Sequence, residues 1–295
     1  MTMPNFLIVG AVKAGTTSLY HYLSQHPDIF LPNQKEPHHF APTKWCGYPA
    51  MALDDYETLF EKTDTYTARG EASTGYLYYP ESPNLIHQAL PDCKIVVILR
   101  DPTVRAYSGY MHEVREGLEQ HSFEQALAQE QQATRFVRGG EFSFNYLKQG
   151  LVCDNIQRYI ELFGTHQVHV CWFDDLVNKP HTLMQALFDF LNVDEHFQGE
   201  WDYRYNPSGQ PKFKALHTLI DGEGTVANWL RARFSGNRKS HRQASLWHRV
   251  RDWNLASGER PTLDPSTERL LRSYFQSEVR NLEALLNRDL SEWLN

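Results

Sequence analysis

The segment Lys13-Ala14-Gly15-Thr16-Thr17-Ser18 places a fixed positive charge, a glycine and three hydroxyls in six positions, soon after the apolar run Phe6-Leu7-Ile8-Val9. Strand, glycine turn and helix in that order direct free backbone N–H groups and a positive helix end toward a phosphate. Gly15 allows close approach of the main chain, Thr16, Thr17 and Ser18 add donors, and Lys13 adds a point charge. Nucleoside triphosphatase loops need four residues between glycines and a Lys directly after the second. Lys13 instead precedes Gly15 by two positions, so the turn is shorter and suits one phosphate better than a β/γ pair.

Two further groups have chemical potential. Arg100 follows the apolar run Lys94–Leu99 at the carboxyl end of a strand, the edge where open α/β sheets hold ligands. Pro102 opens a helix, and Ser108 lies about two turns into it. An Arg fork with a hydroxyl suits a terminal phosphate, while Arg105 is free to pair with a carboxylate and hold the helix. The segment Lys35-Glu36-Pro37-His38-His39-Phe40, after the first helix, sets a carboxylate beside imidazoles, and imidazole titrates near neutrality.

These groups need a scaffold that gathers them. Strands are expected at Phe6–Val9, more weakly at Tyr66–Arg69, then at Lys94–Leu99 and Gln167–Phe173. Helices follow Thr16 or Thr17 as a cap, start at Pro102, and run over Asn155–Phe163. This alternation implies βαβ crossovers and a mostly parallel sheet. Asp264-Pro265 opens a last long helix, on which Leu270, Leu271, Tyr274, Phe275, Leu282, Leu285 and Leu286 recur at helical spacing. Without a repeat or a flexible linker, residues 1–295 read as a single domain.

Composition narrows the class. A net charge of -7 removes a global basic field, so no nucleic acid partner is expected. Cys46, Cys93, Cys153 and Cys171 form no CxxC pair, which argues against a disulfide framework or a zinc site and for a reducing, cytoplasmic setting. Neither a signal peptide nor a membrane-spanning run is expected. Seven Lys/Arg residues without an acidic one stand between Arg231 and Arg251, among Trp229, Trp247 and Trp253. The stretch reads either as a solvated loop or as a lid-like segment near 222–262 that turns positive charge toward an anion.

The loop Lys13–Ser18, the pair Arg100 and Ser108, and the Lys35–Phe40 segment together resemble the 3′-phosphoadenosine 5′-phosphosulfate (PAPS)-dependent sulfotransferases, in their bacterial and glycosaminoglycan-type branch. The resemblance covers roughly the first 110 residues, and implies a P-loop-like three-layer α/β/α fold and no required metal. It implies that Lys13, Ala14, Gly15, Thr16, Thr17 and Ser18 hold the 5′-phosphosulfate end and that Lys13 assists the leaving oxygen. Arg100 and Ser108 would hold the 3′-phosphate. Glu36 would act as general base, with His38 as alternative, and PAP would be the product. The acceptor would be a hydroxyl or amine of a small molecule or saccharide. A looser likeness at Asn206–Lys214 adds Ser208, Gly209 and Lys212 to the donor site. One departure stands out: Gly70-Glu71-Ala72-Ser73 aligns with a Gly-Glu-Lys-Ser segment of the glycosaminoglycan branch, with Ala72 in place of its Lys.

Two rival classes define the tests. A nucleotide kinase or other nucleoside triphosphatase needs an acidic Mg²⁺ ligand, which Asp101 could imitate. A polyanion-binding module would use the Arg231–Arg251 stretch and bind with steep salt dependence.

Overall fold

A computed structural model describes residues 2–42, 50–132, 144–201 and 262–295. Ser208, Gly209, Lys212, the basic Arg231–Arg251 stretch and Cys46 lie outside the described residues, as does nearly all of the lid-like segment near 222–262. The chain divides into two compact units. One comprises Met1–Glu113, His121–Tyr205 and Leu263–Asn295; the other, Val114–Gln120 and Asn206–Thr262, is mostly outside the described residues.

The first unit is built on five parallel strands: β1 Phe6–Gly10, β2 Ile29–Phe30, β3 Ala68–Ala72, β4 Lys94–Leu99 and β5 Val168–Trp172. Their order across the sheet is β2-β3-β1-β4-β5. Successive strand side chains point to opposite faces. Every residue of β1 and all but the first of β4 are buried, so helices must cover both faces. That explains why these two strands are continuous apolar runs rather than alternating ones. The described helices are α1 Thr16–Leu23, α2 Leu53–Thr58, α3 Ser82–Ala89, α4 Pro102–Arg115, α5 Phe123–Gln131, α6 Cys153–Phe163, α7 Phe173–Asn178, α8 Pro180–Leu191 and the C-terminal helix Pro265–Leu286. The result is the α/β/α, P-loop-like arrangement expected from the sequence.

Four details differ from the sequence expectation. The weak strand lies at Ala68–Ala72, two residues later than Tyr66–Arg69, because Gly70 and Ala72 are the positions that pair with Phe6 and Ile8. The two-residue strand β2 gave no periodicity to read. Helix α1 is capped by Gly15, at φ 97°, and neither Thr16 nor Thr17 serves as a side-chain cap. On the C-terminal helix the buried stripe is Thr267, Leu271, Phe275, Val279 and Leu282, whereas Leu270 and Tyr274 are exposed. The buried positions step by four residues and finally by three, with Leu285 and Leu286 partly buried against the core, which leaves Leu270 and Tyr274 on the solvent side.

After β1 the chain moves toward β2 and β3; after β4 it moves to β5 on the other side. The carboxyl ends of the neighbouring strands β1 and β4 therefore form the switch point of the sheet, where diverging connections open a crevice for ligands.

Candidate active site

The loop after β1 turns sharply. Lys13 has φ 61° and Gly15 φ 97°, both in the left-handed region that glycine tolerates best. A Cβ added at Gly15 would lie 2.9 Å from Cδ2 of Phe173, so glycine is required by both space and dihedral angle. The helix ladder begins with the Leu19 N–H on the Gly15 carbonyl at 3.1 Å. The amides of Thr16, Thr17 and Ser18 thus stand at the open first turn, with Thr16 buried and the other two partly exposed.

Arg100, at the end of β4, donates from Nη1 to the carbonyl oxygen of Lys13 at 3.3 Å. Its guanidinium carbon lies 4.3 Å from the centre of the Phe173 ring. A Cβ on Gly109 of α4 would come 4.0 Å from Cγ of Lys13, so Lys13 also reaches along the helix that carries Ser108. The two candidate anion-binding elements consequently meet at the switch point. Ser108, partly buried, sits one residue before that contact.

Helix α4 is held firmly behind them. Asp101 Oδ1 accepts from the N–H groups of Thr103 and Val104 at 2.7 and 3.3 Å, and Oδ2 pairs with Arg272 at 3.3 Å. Burial raises its carboxyl pKa, against the pull of Arg272. Arg105 is fully buried; it donates to the Tyr146 carbonyl and to Gln149 Oε1, the latter at 3.1 Å. Burial lowers its pKa to about 10 while Glu130 opposes the shift. Arg105 therefore braces the helix, mainly through neutral acceptors.

The segment Lys35–Phe40 packs at the carboxyl end of β3, on the other side of β1. The Glu36 N–H donates to the Ala72 carbonyl at 3.0 Å, and the Ser73 N–H to Ile8 at 3.2 Å. Glu36 and His38 both have positive φ, 63° and 54°. The Glu36 carboxylate accepts from the Thr74 N–H at 2.8 Å and from the Thr74 hydroxyl at 3.2 Å, both on Oε2, while Lys35 pairs with Oε1. His38 Nε2 stands 3.4 Å from Oε2. Burial lowers the His38 pKa, partly offset by Glu36, so at neutral pH this contact joins a neutral imidazole to a carboxylate. Nδ1 of His38 is buried without a hydrogen-bond partner, and Gly75 leaves room beside it: a Cβ there would lie 3.2 Å away.

The comparisons agree with this architecture. A sulfotransferase domain profile matches residues 3–281. The chain belongs to the sulfotransferase domain family. A sulfotransferase from Alicyclobacillus acidocaldarius is 31% identical, with a TM-score of 0.74 and all of both chains covered. The bifunctional heparan sulfate N-deacetylase/N-sulfotransferase 1 of Caenorhabditis elegans is 29% identical over 75% of this chain and 25% of its own length. This sulfotransferase domain thus spans about a quarter of the length of the first curated relatives it matches. Mouse sulfotransferase SULT7A1 complexed with PAP is 16% identical at a TM-score of 0.54, covering 98% of this chain and 88% of that one, and shares the fold.

Two participants went unassigned from the sequence. Thr74 donates to Glu36 from its N–H and its hydroxyl, and Glu71 is a wholly buried carboxyl that accepts from Ser73, the residue bonded to the His38 N–H. The available signal for Glu71 was a carboxylate set among Ala68, Gly70 and Ala72 in a strand, a placement that needs compensation.

Proposed function

We propose that this domain moves a sulfuryl group from PAPS to a hydroxyl or amine of a small-molecule or saccharide acceptor, leaving PAP. The observation that supports the reading is the 3.3 Å contact between Arg100 and the Lys13 carbonyl, which brings two candidate anion-binding elements together at one sheet edge. A nucleotide with phosphates on both the 5′ and 3′ positions of its ribose fits such a pair. In this reading Lys13 and the first turn of α1 face the 5′ end, and Arg100 with Ser108 faces the 3′-phosphate.

In the transfer the acceptor oxygen or nitrogen forms a bond to sulfur as the bond from sulfur to the bridging phosphate oxygen breaks. The electron pair leaves on that oxygen, where Lys13 supplies charge, and the acceptor's proton passes to Glu36. His38 supports Glu36 better than it replaces it, because its Nδ1 is enclosed and its Nε2 is directed to the carboxylate. Lys35 supplies a cation at Glu36, where the segment at Ala72 contributes only a backbone carbonyl.

The kinase alternative loses its acid: both Asp101 oxygens are committed to capping α4 and to Arg272. No described helix is long and apolar enough to cross a membrane. A cytoplasmic setting is part of the proposal, supported by the buried, unpaired thiols of Cys93, Cys153 and Cys171.

The test is titration calorimetry with PAP in EDTA against ATP with Mg²⁺, followed by an acceptor screen with radiolabelled PAPS and the Glu36→Gln variant. Metal-independent PAP binding, with sulfated product formed by the parent and lost in Glu36→Gln, is the expected result. Preference for ATP·Mg²⁺ overturns the donor assignment, and full turnover by Glu36→Gln overturns the base assignment alone.

A further inference from the structure

Glu71 lies on the interior strand β3, paired with Leu7 of the central strand β1, and is completely buried. Its Oε2 accepts from the Ser73 hydroxyl at 2.9 Å and its Oε1 from the Tyr56 hydroxyl at 3.3 Å, with Tyr76 as a further donor. Retaining a carboxyl in such a place is costly, and sites that do so often serve function. The groups that face it come from every adjoining element: Tyr20 of α1, Tyr56 of α2, Tyr76, Cys93 before β4, Tyr159 of α6, and Glu36.

Ser73 has a second bond that matters more. Its Oγ accepts the backbone N–H of His38 at 3.0 Å. A hydroxyl has one proton; when that proton is given to Glu71, a lone pair is left for His38. Two non-glycine residues in left-handed geometry, Glu36 and His38, need such fixed partners to persist.

We propose that Glu71 is a positioning residue, which through Ser73 fixes the Glu36–His38 loop and transmits its own charge state to that loop. The inference rests on the reading of this loop as the proton-accepting side of the site. When protonated Glu71 donates to the Ser73 oxygen, the Ser73 proton must turn away and that oxygen is shared between two donors, which weakens and re-aims its bond to the His38 N–H. Burial, more than the nearby Glu36, lifts the Glu71 pKa to about 7 against the pull of the hydroxyl bonds. The changeover falls in the range where such a coupling has consequences, and above the lowered titration of His38 itself.

The experiment needs no acceptor. Carbon-labelled histidine spectra are recorded between pH 5 and 9 on the whole chain, with the His38 ring assigned by His38→Gln. PAP affinity is measured on the same samples. The parent is expected to show, besides the His38 titration, a second step near 7. Glu71→Gln should abolish that step and Ser73→Ala should shrink it at least threefold, with PAP affinity kept within twofold in both. A second step that survives in Glu71→Gln, or is missing in the parent, overturns the proposal. So does a tenfold loss of PAP affinity in both variants, since Glu71 would then support the whole sheet edge and not this loop. Failure of the parent to bind PAP would instead refute the donor reading and leave this coupling intact.

Discussion

Replacing Glu71 with Gln should make the protein more stable relative to the parent as pH rises. The buried Glu71 carboxyl titrates at about 7 in the folded chain, against an ordinary value of 4.5. Between those limits the unfolded chain has released this proton and the folded one still holds it, so stability falls with increasing pH. At about 1.4 kcal/mol per pH unit, the interval contributes a loss of about 3 kcal/mol, complete above pH 7 and absent below 4.5. Gln has nearly the same shape and cannot ionise. Urea denaturation of parent and variant at a series of pH values from 4 to 9 gives two stability curves. Their difference removes His38 and the other groups that titrate alike in both. The difference should rise by about 3 kcal/mol in favour of the variant across the interval. A difference that stays flat within 1 kcal/mol would mean that Glu71 titrates as it does in water, and that its hydroxyl donors offset its burial in full.

Other substitutions probe the donor side and its supports. Gly15→Ala forces a Cβ to 2.9 Å from the Phe173 ring at φ 97°, and should reduce PAP affinity at least tenfold by calorimetry. Arg100→Ala removes the guanidinium beside the Lys13 carbonyl and should also weaken PAP by tenfold or more, with little change in adenosine 5′-phosphosulfate binding if the contact is to the 3′ end. Asp101→Ala deletes the cap of α4 and leaves Arg272 without this partner, which should cost about 2–4 kcal/mol in urea unfolding. Gly75→Ala sets a Cβ 3.2 Å from His38 Nδ1 and from the Tyr79 ring; the His38 ring resonance should move, and overpacking should cost about 1–3 kcal/mol in urea unfolding.

The placing of the candidate donor-side groups at strand ends was legible in the sequence because it depends on local order. A buried strand followed by Lys13–Ser18, and another followed by Arg100, already places each group at a carboxyl end. Helix starts at Pro102 and Pro265 were legible for the same reason, since proline and an Asp cap act within one turn. Boundaries that rest on pairing were not: β3 moved two residues because its register is set by β1, and Leu270 and Tyr274 proved exposed because packing selects one row.

Sequence alone determined the kinds of groups present and which strand end each follows, since both are properties of neighbours along the chain. Only the tertiary structure decided that β1 and β4 are adjacent, that Arg100 reaches the Lys13 carbonyl, and that buried Glu71 is tied through Ser73 to the His38 N–H. Strand order and burial are set by long-range packing, and the Glu71 carboxyl holds its proton more tightly because the packed sheet excludes water around it, against the opposing hydrogen bonds from Ser73, Tyr76 and Tyr56.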